Sequence, residues 1–170
     1  QTAGGLAWNI MSRKCKLPPA VSSEALDNRI RTAIVGGRVQ VYDVKTVAEP
    51  LRMVDFVSLY PTVMAATAST AAVFTPNHGW GLFPSGKANG EPTEVTDYKQ
   101  GVVGLYEVTI HSQPIPNVLP FRGETLDWAY RGEFSTQATH CDIELIRQAG
   151  GLVTVHKGLI WPACRNDLFV

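Results

Sequence analysis

The sequence predicts an α+β chain with an antiparallel sheet and helices packed against it. Three observations lead there. Several segments carry apolar residues at helical spacing and end at Gly or Pro, whereas others alternate as strands do. At 170 residues with 45% hydrophobic content, the chain is long enough for one real core, as one domain or a domain plus an insertion. No apolar run approaches the roughly 18 residues that a membrane span requires, so no membrane partner is expected.

The elements follow in order. "GGLAWNIMSRKC" places Leu6, Ile10 and Met11 on one helical face, and "KLPP" stops it. "SSEALDNRIRTAIV" is a second helix with Ser22 or Ser23 as N-cap and acids early in the segment. Gly36-Gly37 breaks it, and "RVQVYDV" alternates like a strand. "RMVDFVSL" predicts a more deeply buried strand, and Pro61 suits the first turn of a helix over "PTVMAAT". From Thr75 to Thr96 the Gly and Pro content predicts a long loop. "GVVGLYEVTIH" is a strand and "QPIPNVLPFRG" an extended, Pro-interrupted segment. In "THCDIELIRQAGG", Thr139 and Asp142 resemble a capping box and Gly150-Gly151 ends the helix. "LVTVHKGLIW" closes as a strand, expected in a hairpin.

Composition narrows the function. Cys15, Cys141 and Cys164 are odd in number and form no CxxC pair, which argues against a secreted disulfide framework and suits a reducing, intracellular compartment. His78, His111, His140 and His156 lack metal-ligand spacing. A site from His140, Cys141, His156 and Cys164 matches no zinc pattern; buried Cys and surface His are the better reading. The 15 basic and 15 acidic residues balance, whereas nucleic-acid proteins usually carry a basic face. Residues 1–60 nevertheless hold eight Lys/Arg against five Asp/Glu, which makes this the better surface for phosphates. The chain starts at Gln1 without a signal segment and ends on the apolar "NDLFV", so a piece of a longer polypeptide is expected.

The chemistry concentrates in "LRMVDFVSLYPTVMAAT", where Asp55 sits in an apolar run. A core strand gains nothing from an unpaired carboxylate. The order strand, tight turn, helix N-terminus would present the amides of Ser58, Leu59 and Tyr60 to phosphate oxygens, with a carboxylate nearby that favours Mg²⁺. The competing reading is that Asp55 or Ser58 caps the helix and Tyr60 packs. On spacing alone capping is the commoner outcome.

"DFVSLYPTVM" resembles motif A of the family B DNA polymerases, and the surrounding chain is most similar to the protein-primed branch found in bacteriophages, adenovirus-like viruses and linear plasmids. "AIVGGRVQVY" resembles that family's Tyr-x-Gly-Gly-Arg segment, and "GLYEVTI", "PNVLPFR", "THCDIELIRQAGG" and "GLIWPACRNDLF" follow in the expected order. The resemblance implies a partial polymerase palm over residues 1–70, an insertion over 71–164 that contacts a priming terminal protein and duplex DNA, and a return to the palm over 165–170. The remainder of the palm with a surface loop is an equal alternative for the middle segment.

By the same resemblance, Asp55 is the catalytic carboxylate and a ligand to both Mg²⁺ ions of a two-metal phosphoryl transfer, with the Phe56 main-chain carbonyl as a further ligand. The amides of Leu59 and Tyr60, with Ser58 beside them, would bind the triphosphate of a dNTP. The Tyr60 ring would lie beneath the deoxyribose and exclude a 2′-hydroxyl. Gly36, Gly37 and Arg38 would approach the DNA primer-template. Ile34 stands where the family has Tyr and cannot stack on a base, and Thr62 replaces a Ser. The family's second metal-binding aspartate, its Lys motif and its exonuclease carboxylates lie outside this chain. Asp97, Glu107, Asp127, Asp142, Glu144 and Asp167 follow Asp55 without the required pattern, so this piece is expected to be inactive alone. The alternative function is a non-catalytic, polymerase-derived module that binds DNA or protein.

Overall fold

Around Tyr106, Val108 and Ile110, three side chains from one face of one strand, the chain builds its main core. The computed structural model describes residues 3–14, 23–38, 45–46, 48–57, 59–60, 83–84, 92–162 and 164–165. Two helices come first, α1 (Ala3–Lys14) and α2 (Glu24–Thr32). Among the described residues eight strands come later: β1 (Phe83–Pro84), β2 (Thr93–Val95), β3 (Val103–Ser112), β4 (Phe121–Arg122), β5 (Leu126–Asp127), β6 (Phe134–Thr139), β7 (Leu152–Trp161) and β8 (Cys164–Arg165). Between β6 and β7 lies α3 (His140–Gln148). The main sheet is four-stranded in the order β2-β7-β3-β6 and antiparallel throughout, and β1-β8 and β4-β5 form two small ladders. This is the expected α+β class.

Alternation along β3 decides which face is covered. Tyr106, Val108 and Ile110 turn toward α3, where Ile143 and Ile146 are fully buried, and Phe134 and Ala138 of β6 complete the layer. The opposite face buries Leu105 opposite Leu159 near one end and is polar beyond them. Glu107 pairs with Lys157 at 3.4 Å, Thr109 bonds Ser135 and His156, and His111 bonds Glu133 and Thr154. The register between β3 and β7 shifts after Glu107, which leaves His156 as the extra residue of a bulge.

Local chemistry sets the helix ends. In α3 the Thr139 hydroxyl accepts from the Asp142 amide at 3.3 Å, and Asp142 Oδ2 accepts from the Thr139 amide at 2.8 Å: the capping box forms. Gly150, at φ +81°, takes the left-handed turn that ends the helix. In α2, Ser23 accepts from the Leu26 amide at 3.2 Å, and Arg31 bonds Asp27 one turn back at 2.6 Å.

Four expectations need correction. Residues 51–57 form no strand and are exposed, with Met53 at 98% and Val57 at 87% of full exposure. Strand preference reflects fit to a pleated, half-buried surface, and among the described residues no neighbouring strand supplies one. Phe83–Pro84 and Thr93–Val95, inside the expected loop, are strands because β8 and β7 give them partners. β7 closes no hairpin with its sequence neighbour; it lies between β3 and β2. β6 was not foreseen. The expected strand "RVQVYDV" from Val39 onward, the helix from Pro61 and most of the 75–91 loop lie outside the described residues. Among the described residues, no helix is long and apolar enough to cross a membrane.

Candidate active-site turn

Asp55 lies in exposed, irregular chain four residues before a helix starts at Leu59 and Tyr60. Its carboxylate makes no hydrogen bond or ion pair with any described residue. It therefore does not cap the Leu59–Tyr60 turn, which leaves a solvated carboxylate beside a helix onset. Phe56, Leu59 and Tyr60 are also exposed. Ser58 lies outside the described residues.

The glycine pair comes to the same place. A Cβ built on Gly37 would sit 3.4 Å from Tyr60 Oη, so the phenol passes directly over this glycine. Gly36 faces open space, with nothing within 4 Å of where its Cβ would be. The structure thus unites two motifs separated by some 20 residues, the Gly pair and the Asp55–Tyr60 turn.

Arg38 is half-buried. Its guanidinium lies over the Trp128 ring, 5.2 Å from the centroid, and Nη1 makes a long 3.5 Å contact with the Asn117 carbonyl. Arg122 Nη2 donates to the Ile34 carbonyl at 2.9 Å. Two elements of the segment between β3 and β6 therefore clasp residues 34–38. That segment is itself fixed by aromatic packing: Phe121 stacks on Tyr130 at 4.2 Å, and both meet Phe134 edge-on. Asn117, buried, donates from Nδ2 to the Tyr130 carbonyl at 2.9 Å.

The other carboxylates have local duties. Glu107 pairs with Lys157, Asp142 caps α3, Glu144 accepts from Tyr98, and Asp127 accepts from the Ala129 amide at 2.8 Å. Asp97 accepts from the Thr96 hydroxyl at 3.3 Å. Asp167 lies outside the described residues. Among the described residues, no group of three His, Cys, Asp or Glu side chains could hold a metal ion. His140 is buried and accepts from the Gly104 amide at 3.3 Å, its other ring nitrogen lies 3.4 Å from Cys141 Sγ, and His156 is exposed.

A family model described as "DNA polymerase type B, organellar and viral" matches residues 1–166. The chain belongs to this family. The fold of this chain agrees with that of Phi29 DNA polymerase, solved in complex with primer-template DNA as a post-translocation binary complex. The TM-score is 0.62 at 18% identity, over 98% of this chain and 28% of that one. The chain thus spans little more than a quarter of the length of that structure. No curated protein sequence matches it.

Sequence reasoning missed Trp128, Asn117 and Arg122, the partners of residues 34–38. They lie 79 and 88 positions away for the two hydrogen bonds, and no local spacing could signal such contacts.

Proposed function

We propose that this chain is the motif A region of a DNA-directed DNA polymerase that adds dNTPs by two-metal phosphoryl transfer, in protein-primed replication of a viral or plasmid DNA inside a host cell. The observation that carries the reading is the Asp55 carboxylate, solvated and unbonded to any described residue, just before the helix onset at Leu59, with Tyr60 resting over Gly37. It is supported by membership of the family.

The donors present fit a hard cation in part. A free carboxylate and the Phe56 main-chain carbonyl are the oxygen ligands that Mg²⁺ takes. A second carboxylate must come from outside the described residues, as the resemblance requires. When bound, the ions would neutralise charge on the triphosphate and on the reacting oxygens. The chain's own part is positional. Asp55 offers its oxygens without first breaking a bond to the protein. The amides at the helix onset favour phosphate oxygens because they lack intrahelical acceptors. The Tyr60 ring, held over Gly37, would form a wall against a 2′-hydroxyl. The clasp of Trp128 and Arg122 on residues 34–38 would fix the Gly pair relative to the β3–β6 segment, where the terminal protein and duplex DNA would dock.

Asp55→Asn in the full-length polymerase tests this. Asn keeps the shape and removes the charge. Nucleotide addition should fall by more than about a thousandfold, beyond the tenfold to hundredfold loss typical of changes in outer-shell metal partners. Thermal unfolding should not change, because Asp55 is exposed. A variant that retains a tenth of the activity would place the metal elsewhere and favour a non-catalytic role for this turn.

A further inference from the structure

Gly36 and Gly37 cannot fix their own position. Neither carries a side chain, nothing stands within 4 Å of where a Cβ of Gly36 would be, and glycine is the most permissive residue in φ and ψ. Yet Gly37 is the floor that the Tyr60 phenol meets, with Oη 3.4 Å from its Cβ position. Tyr60 is 72% exposed, so packing elsewhere does little to hold the ring. The residues on either side of the glycines are held instead. The Ile34 amide donates to the Arg31 carbonyl at the end of α2 at 3.1 Å, and the Ile34 carbonyl accepts from Arg122 Nη2 at 2.9 Å. On the other side, the Arg38 guanidinium lies 5.2 Å from the centroid of the Trp128 ring. Arg122 ends β4 and Trp128 directly follows β5. The two strands pair, Arg122 opposite Leu126, around a turn in which the Gly123 amide donates to the Thr125 carbonyl at 3.3 Å. One small hairpin therefore carries both holds, and the stack of Phe121 on Tyr130 ties it to the core.

We infer that the β4–β5 hairpin is a specificity element of the polymerase: Arg122 and Trp128 are positioning residues that hold the Gly37 backbone beneath Tyr60 and so set how closely the ring meets the sugar of an incoming nucleotide. Contact forces at such a wall change steeply over about 0.5–1 Å, so a ring whose floor can shift by that much discriminates poorly. Both residues act through the main chain of 34–38 and need touch neither nucleotide nor metal. Arg122 is exposed, so its removal takes no packing from the core. The effect on sugar choice rests on the steric role proposed for Tyr60; the positioning of the ring does not.

The test uses the full-length polymerase with 3-fluorotyrosine at position 60. Its fluorine resonance reports the surroundings of the ring. Single-nucleotide extension reports the ratio of kcat/KM for ribonucleotide to that for deoxyribonucleotide. Arg122→Met and Trp128→Ala should each move the resonance and raise the ratio by about threefold or more, through loss of one hydrogen bond or one cation–ring contact. Arg122→Lys keeps a donor for the Ile34 carbonyl and Trp128→Phe keeps a ring beside Arg38, so both should stay within about twofold of the wild-type ratio. In a Tyr60→Val background, where the wall is gone, neither Arg122→Met nor Trp128→Ala should raise the ratio further. A merely structural loss would slow both nucleotides alike and leave the ratio unmoved. A resonance unmoved by both Arg122→Met and Trp128→Ala would overturn the inference. So would a wild-type ratio in both variants while Tyr60→Val raises it. A moved resonance with a ratio that even Tyr60→Val leaves unchanged would remove the steric role of Tyr60 and leave the positioning standing. Should Trp128→Ala fail to fold, Arg122→Met decides alone.

Discussion

Among the described residues Tyr106 is the largest fully buried side chain, and the glycine across from it invites a quantitative test. Gly158 faces Tyr106 in the β3–β7 register. A Cβ on Gly158 would lie 2.3 Å from Tyr106 Cδ1, 2.6 Å from Cε1 and 3.1 Å from Cγ. Carbon atoms pack best at about 3.5–4.0 Å, so the ring would have to retreat by about 1 Å or more. Its retreat is obstructed, because it is fully buried and leans on Tyr98 with centroids 5.2 Å apart. Its hydroxyl also accepts from the Lys99 amide at 3.2 Å. Overpacking costs about 1–3 kcal/mol and the weakened hydrogen bond about 1. Restricting the unfolded chain returns about 0.4–1 kcal/mol. Gly158→Ala should therefore destabilise by roughly 2–3 kcal/mol and lower the melting temperature by about 4–12 °C for a chain of this size. Urea unfolding followed by circular dichroism should show a lower midpoint with an unchanged slope. In a Tyr106→Leu background, which removes the ring, the same substitution should cost less than about 0.5 kcal/mol. Gly36→Ala, with open space around it, is the control. A Gly158→Ala loss under about 0.5 kcal/mol in the wild-type background would refute the packing argument.

Two further predictions concern Tyr60 and Tyr98. Tyr60→Val in the full-length polymerase should raise ribonucleotide incorporation relative to deoxyribonucleotide by at least about tenfold, read from single-nucleotide extension; an unchanged ratio removes the steric role. Burial first, and then the hydrogen bond to Glu144, push the Tyr98 phenol above its ordinary value. A raised folded-state value makes the neutral phenol a stabiliser below pH of about 10, and that contribution is lost as pH rises toward the folded-state value. Unfolding free energy should fall from pH 9 to 11 more steeply in the wild type than in Tyr98→Phe, and parallel profiles would exclude the effect.

What could be read from the sequence divides along the range of the forces involved. α3 was legible because its signals, Thr139 with Asp142 and Gly150, act within one turn of the chain. Ser23 marked α2 in the same way, and strict alternation marked β3. β6 was hidden. Its core-facing positions are Phe134, Thr136 and Ala138, and Thr136 in the middle erases the apolar alternation that only the pairing with β3 reveals. β2 reads as loop in the sequence because three residues cannot announce a strand without their β7 partner. Residues 51–57 failed in the opposite direction: Leu51, Met53, Val54, Phe56 and Val57 are apolar enough for a core, but apolar character creates burial only where a surface receives it.

The candidate site shows the same division. The Asp55–Tyr60 turn was legible because a carboxylate, a reversal and a helix onset lie within six residues. Its placement was not. Tyr60 rests over Gly37, and the chain around Gly37 is set by Arg122 on the Ile34 carbonyl and Trp128 beneath Arg38. The later segment is fixed in turn by Phe121, Tyr130 and Phe134 against the main core. A chain of contacts thus runs from the four-stranded sheet to the ring proposed to test the sugar. Arg122 and Trp128 hold residues 34–38 by a hydrogen bond and a cation–ring contact, and Gly37 lies within that held stretch. The segment proposed to receive the terminal protein thus touches, through Arg122 and Trp128, the chain that carries Gly37 beside the ring proposed to test the sugar.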